Sequence, residues 1–255
     1  PLVSLGLWHN FGSEDPFDVA RAMLLHAWDR GVTHFDIANN YGPAPGTAEM
    51  TFGRVLREDL AAHRDEMIIS SKAGYLMWDG PYGNGGSRKY LISSCDQSLK
   101  RTGLEYFDIF YSHRYDPNTP IEETMQALVD IVRSGKALYA GISNYPADKQ
   151  QECYDYLRAA HVPCVIGQYK ASIVCPETLQ ENLPVARDNG SGFICFSPLA
   201  QGLLTNRYLN GIPAGSRASK NVFLRPEQVT NDVVAMAQRL GAIAAERGQT
   251  LAQMA

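Results

Sequence analysis

Short runs rich in β-branched and aromatic residues alternate with longer runs of helical periodicity along almost the whole chain, and this alternation limits what it can fold into. Val3 to Trp8 reads as a strand. Pro16 to Asp29 reads as a helix with Val19, Met23 and Ala27 on its inner face, Asp15 as N-cap and Gly31 as its stop. Thr33 to Asp36 is the second strand and Ala48 to Ala61 the next helix. Strands are predicted at Met67–Ser71, Phe107–Ser112, Ala137–Ile142, Cys164–Gln168 and Gly192–Phe196. The helices between and after them are Lys89–Thr102, Ile121–Ser134, Ala147–Ala160, Pro176–Asp188 and Val229–Arg247, with a long loop over Ser197–Pro226 before the last.

Strands joined by helical crossovers must run parallel, and such crossovers are right-handed. Seven βα units in 255 residues fit a TIM (β/α)₈ barrel ending before its eighth strand better than an open doubly wound sheet. One domain, 1–255, is expected. The chain opens on Pro1 and stops at Ala255 inside a helical pattern, so both ends read as cut, with room for targeting segments outside them.

Composition excludes several classes. The formal net charge is −4, which argues against a nucleic-acid surface. No apolar run reaches the roughly 18 residues of a membrane span. Five cysteines (95, 153, 164, 175, 195) show no CxxC spacing, so neither a disulfide framework nor a zinc site is expected. Their mostly apolar neighbours read as buried, reduced thiols, hence a reducing, cytoplasmic setting.

In a barrel, function gathers at the C-terminal ends of the strands. Those ends place Trp8 on strand one, Asp36 to Gly42 on strand two, Lys72 on strand three and His113 on strand four. Strand five ends at Ser143-Asn144, strand six at Gln168, and strand seven runs into Phe196-Ser197. The Gly/Pro-rich stretches Tyr41–Gly46 and Asp79–Gly86 follow strand ends and read as active-site loops. Singly, each ionisable group has a structural explanation; their convergence on one rim suggests a reaction. Carbonyl reduction needs hydride at carbon and a proton at oxygen. A tyrosine holds its proton with a pKa of about 10, and a nearby ammonium favours the phenolate. On this reading Tyr41 is the general acid, Lys72 lowers its pKa, Asp36 holds Lys72, and His113 orients the substrate oxygen.

The string Phe35-Asp36-Ile37-Ala38-Asn39-Asn40-Tyr41-Gly42 resembles the aldo-keto reductase signature around its catalytic Asp and Tyr. Ile69 to Lys72, Asp108 to His113, Gly135 to Asn144 and Phe196 to Thr205 are similar to the family's other landmarks in the same order. The loop Gly80 to Leu91, and Asn210 to Pro213 with Ser216-Arg217, resemble the branch holding bacterial L-glyceraldehyde 3-phosphate reductases and potassium-channel β-subunits. The resemblance implies NADPH-dependent reduction of L-glyceraldehyde 3-phosphate, methylglyoxal or similar short aldehydes. It also implies a homo-oligomer of four or more copies. His113 stands where the channel β-subunits carry another residue, which favours a working enzyme.

For the cofactor, NADPH/NADP⁺, the resemblance assigns Trp8, Ser143, Asn144 and Gln168 to the nicotinamide end, with Asp36 beside it, and Phe196 to stacking on the ring. It assigns Ser197, Leu199, Gln201 and Gly202 to the pyrophosphate, and Arg207 and Arg217 to the phosphates. The branch's main 2′-phosphate contacts fall beyond Ala255. The chain departs from the branch at Tyr169-Lys170-Ala171-Ser172 and at Asn206-Arg207. No GxGxxG follows a strand, so a Rossmann domain is not expected. Two other functions compete with this reading: an NADPH-binding, redox-sensing regulatory subunit with slow turnover, and a metal-dependent barrel hydrolase or aldolase. His9, His34, His63 and His113 lack metal-ligand spacing, and no metal is expected.

Overall fold

The computed structural model describes residues 2–42 and 44–255. The elements run β1 (Ser4–Gly6), α1 (Phe17–Asp29), β2 (His34–Asp36), α2 (Thr47–Val55), β3 (Ile68–Ala73), α3 (Arg88–Thr102), β4 (Phe107–Ser112) and α4 (Ile121–Arg133). They continue with β5 (Ala137–Ser143), α5 (Ala147–Ala159), β6 (Cys164–Lys170), α6 (Glu177–Asp188), β7 (Gly192–Phe196), α7 (Arg217–Lys220), α8 (Asn231–Glu246) and α9 (Leu251–Met254). The strands form one sheet in chain order, β1 to β7, without the order reversal of a doubly wound sheet. The pairs from β1·β2 to β5·β6 are parallel, with Asp36 opposite Ser70, Lys72 opposite Tyr111 and Ser143 opposite Gln168.

The chain packs as two compact units, Pro1–Gln168 with Val185–Phe193, and Tyr169–Pro184 with Ile194–Ala255. In the first unit the sheet is strongly curled. Four strand intervals separate β2 from β6, about 19 Å across a flat sheet at about 4.8 Å per interval. Yet Gln168 Nε2 donates to Asp36 Oδ2 at 3.0 Å. Side chains can meet so only if both strands face the inside of a curved sheet, as in a (β/α) barrel.

The helices of this unit lie against the sheet over one apolar core. Phe35 and Phe52 sit 5.5 Å apart by ring centroid, joining β2 to α2, and Met125, Leu128 and Ile131 line the buried face of α4. Gly53 of α2 lies so close to α3 that a Cβ would meet the Thr102 carbonyl oxygen at 2.5 Å. α1 differs from its sequence reading. Pro16, not Asp15, is the N-cap residue, and the buried positions are Ala20 and Leu24, while Val19 is 52% exposed. α2 keeps α-helical winding only to Val55; Leu56–Leu60 forms one wider π turn and Ala61–Glu66 a 3₁₀ segment.

The second unit has its own small core of Tyr208, Ala218 and Leu224, with Leu203 and Val229 against it. The predicted loop Ser197–Pro226 is therefore more ordered than its Gly/Pro content suggests. It contains short 3₁₀ turns and α7, which Ser216 caps through the Ser219 N–H at 3.3 Å. Thr230 caps α8 and Thr250 caps α9 in the same way. All five cysteines are free. Cys95, Cys153 and Cys164 are buried, but Cys195, read as buried from its apolar neighbours, is exposed. Among the described residues no helix is long and apolar enough to cross a membrane.

Candidate active site

Asp36 ends β2 and is 6% exposed. Lys72, read as lying just past strand three, stands inside β3, because that strand runs on to Ala73; its side chain is fully buried. Ser70 and Lys72 are two residues apart on one strand and so share a face. Lys72 Nζ donates to Asp36 Oδ2 at 2.5 Å and Ser70 Oγ donates to Asp36 Oδ1 at 2.6 Å. With Gln168 this gives the carboxylate three donors. Burial alone would raise the Asp36 pKa, but the Lys72 charge and the bonds from Lys72 and Ser70 outweigh it and hold the group below the usual carboxylate value. Burial lowers the Lys72 pKa, against support from Asp36 and, more weakly, Glu49.

Beyond β2 the backbone keeps contact with β3, the Ile37 N–H donating to the Ser70 carbonyl and the Asn39 N–H to the Lys72 carbonyl, both at 2.9 Å. This carries the chain to Tyr41, which is pinned by its own N–H to the Ala38 carbonyl (3.1 Å) and by the Ala48 N–H to its carbonyl (3.2 Å). Gly42 follows at φ +89°, where a Cβ would lie 2.4 Å from Thr47 Oγ1 and 2.9 Å from Gly12 Cα. Only glycine meets both demands. Lys72 Nζ sits 5.0 Å from the Tyr41 ring centroid and 5.6 Å from that of Tyr111. His113, just past β4, donates its backbone N–H to the Ala73 carbonyl at 2.9 Å. Its ring lies 5.7 Å from Tyr41 at 70°, and the Tyr75 ring stands perpendicular to it at 4.6 Å.

The electrostatics correct one expectation. The Tyr41 pKa is not brought below the ordinary tyrosine value. Burial first, then the Asp36 charge and Tyr75, push it well above the ordinary tyrosine value. Burial, Lys72 and Arg114 hold the His113 pKa well below 6.5, so the imidazole is neutral; its Nδ1 is buried with no partner among the described residues.

The first unit thus brings Asp36, Tyr41, Lys72 and His113 together. It also places Trp8, 38% exposed, 6.4 Å from Tyr41. Ser143 Oγ donates to the Gln168 carbonyl (2.8 Å), and Asn144 Nδ2 to the His113 carbonyl and to Ser143 Oγ, both at 3.1 Å. Asn144 holds φ +56°, a conformation asparagine tolerates. In the second unit Phe196 ends β7, and the following turn has Ser197, Ala200 and Gln201 at positive φ, with Leu199 and Gly202 between and after them. Gln201 Oε1 is buried without a partner among the described residues. Arg207 and Arg217 are exposed.

Sequence reasoning passed over three features. Ser70 was legible, lying two positions before Lys72. Tyr75 gave no signal. Nor did buried Glu49, which accepts from Ser71 Oγ at 2.7 Å and from Arg101 Nε at 2.6 Å and so ties α2, β3 and α3 together behind Lys72. Among the described residues no three His, Cys, Asp or Glu side chains form a metal-holding group.

A buried lysine–carboxylate pair thus lies beneath a tyrosine and beside a neutral histidine, at the strand ends of a curled parallel sheet of the barrel type. The sequence profile of the aldo/keto reductase family matches residues 2–255. The chain is 54% identical to the L-glyceraldehyde 3-phosphate reductase of Escherichia coli (strain K12), over 100% of this chain and 75% of that protein. It is 35% identical to a probable voltage-gated potassium channel subunit beta of Arabidopsis thaliana and to one of Oryza sativa subsp. japonica, over 99% of this chain and 77% of each. The chain belongs to the aldo/keto reductase family and is an oxidoreductase of the (β/α) barrel class.

Proposed function

We propose that this enzyme reduces short aldehydes with NADPH, L-glyceraldehyde 3-phosphate and methylglyoxal among them, with Tyr41 as general acid. The observation that carries this reading is the buried Lys72–Asp36 pair lying 5.0 Å under the Tyr41 ring with His113 beside it.

The residues suit the cofactor. Trp8 offers an exposed aromatic face, and Asn144 and Gln168 offer amide oxygens for a carboxamide edge. After β7, the positive φ of Ser197, Ala200 and Gln201, and a Gln201 Oε1 without a partner among the described residues, mark a strained turn of the kind kept at binding sites. Phe196, Ser197, Leu199, Gln201, Gly202, Arg207 and Arg217 are its candidate contacts to the dinucleotide. Bound NADPH supplies the hydride.

The chain's own part is the proton. His113, neutral, donates a hydrogen bond to the aldehyde oxygen and fixes its direction. Tyr41 holds its proton throughout the neutral range and gives it up only when negative charge builds on that oxygen. Lys72, kept protonated by Asp36, lies close enough to stabilise the phenolate that forms. The product is an alcohol, and Tyr41 recovers its proton from water.

Likeness to the plant channel subunits supports a second reading, an NADPH-binding redox sensor with slow turnover. Assembly into a homo-oligomer of four or more copies and a cytoplasmic setting complete the proposal. Following the near-ultraviolet absorbance of NADPH with either aldehyde tests it, wild type beside Tyr41→Phe. Oxidation lost in the variant supports the reductase; tight NADPH binding without turnover on any short aldehyde supports the sensor.

A further inference from the structure

Next to His113 stands Arg114, a cation that adds to burial in keeping that imidazole neutral but has no part in the proton or hydride transfer. Arg114 is half-buried, and among the described residues its guanidinium donates to no carboxylate. Two neutral acceptors hold it instead. Its Nε donates to the Gly74 carbonyl at 2.8 Å and its Nη2 to Asn84 Oδ1 at 3.0 Å, the second bond lying at the surface. Its guanidinium carbon lies 5.2 Å from the centre of the Tyr75 ring. The same ring meets His113 edge-on at 4.6 Å, so a single aromatic ring separates the free cation from the imidazole. The carboxylate that feels its charge, Asp116, has its oxygens engaged by Gly86 N (2.8 Å), Thr119 Oγ1 (2.8 Å) and Asn118 N (3.0 Å).

A guanidinium fixed by neutral acceptors keeps its full charge and a rigid orientation, which suits a dianionic oxygen group better than a mobile lysine would. We infer that Arg114, aimed by Asn84 and Tyr75, is the anchor for an anionic group on the substrate, and that it selects phosphorylated short aldehydes over uncharged ones. This rests on the aldehyde-reductase reading and names the substrate class of that site. Leaving the cation unpaired would otherwise have no purpose beyond holding a loop.

Asn84→Asp separates the two roles. It keeps the acceptor 3.0 Å from Nη2 but neutralises the cation. Arg114→Gln removes the charge outright, and Arg114→Lys restores charge without the fork. For L-glyceraldehyde 3-phosphate, kcat/KM should fall about 10- to 100-fold in Asn84→Asp and Arg114→Gln, mainly through KM, with partial recovery in Arg114→Lys. For methylglyoxal it should change less than about twofold to threefold in all three. Calorimetric titration of the NADP⁺-saturated protein with glycerol 3-phosphate gives a readout that does not depend on turnover, and binding should weaken by the same factor. Equal loss on both aldehydes, or unchanged glycerol 3-phosphate binding in Asn84→Asp, overturns the inference. If wild type reduces neither aldehyde, the reductase reading fails, and the titration still decides for or against Arg114.

Discussion

Lys72 Nζ and Asp36 Oδ2 lie 2.5 Å apart, with both side chains buried. An ion pair so placed is costly to break from one side only, since the surviving charge keeps its desolvation penalty. Lys72→Met or Asp36→Asn alone should lower stability by about 3–5 kcal/mol, and the double variant should recover much of that loss while staying inactive. Urea denaturation of the four proteins checks this; additive losses would mean that the pair is not coupled.

Tyr41→Phe keeps the ring that Lys72 and His113 contact and removes only the hydroxyl. Turnover should fall about 10²- to 10⁴-fold with NADPH affinity unchanged, as read by single-turnover kinetics and cofactor fluorescence. Because burial raises the Tyr41 pKa, the wild-type rate should show no Tyr41 ionisation across the neutral range.

Acid should weaken the fold through the histidines. Burial holds the pKa values of His34 and His113 below 6.5 in the folded state. The unfolded chain takes up those protons near 6.5 and the folded chain does not. The stability is therefore whole above that pH and is lost as the pH falls through and below it. Urea midpoints measured from about pH 8 to about pH 5 should drop, and the drop should be shallower in His113→Asn.

Gly42→Ala should cost about 1–3 kcal/mol from the positive φ alone, with the contact at Thr47 Oγ1 adding to it. Since Gly42 fixes the turn after Tyr41, turnover should fall further than cofactor binding. A variant of wild-type stability would show that the turn can be made another way.

Glu49→Ala removes the carboxylate that holds Ser71 and Arg101 behind Lys72. A stability loss of about 3–5 kcal/mol is expected. Glu49→Gln should retain part of it, because an amide can still accept from Ser71. Thermal unfolding of the two variants ranks them.

Long apolar strands were legible in the sequence: β4 and β7 have the predicted bounds, since each is an apolar run closed by turn residues or a glycine. Boundaries set by tertiary contact were not. β1 shrinks from Val3–Trp8 to three residues because Val3 is 66% exposed and unpaired there, and the inner face of α1 shifts by one position from Val19 to Ala20. At the site, the spacing of Asp36, Lys72 and His113 at successive strand ends gave the positions, and period two, applied back from Lys72, would have given Ser70 as well. No local pattern could give the donation from Gln168 to Asp36, or the opposite sign of the Tyr41 shift, because both depend on what curvature and burial bring together.

That Gln168–Asp36 bond spans 132 positions, and its span orders events in time. A chain emerging from the ribosome at about 5–20 residues per second delivers Asp36, Tyr41, Lys72 and His113 well before β6 exists. Until Gln168 arrives, the carboxylate lacks one of its three donors, and the half-made site holds its charges less firmly. The glutamine is thus the last polar group to reach the aspartate, and its arrival couples completion of the active site to completion of the sheet's sixth strand.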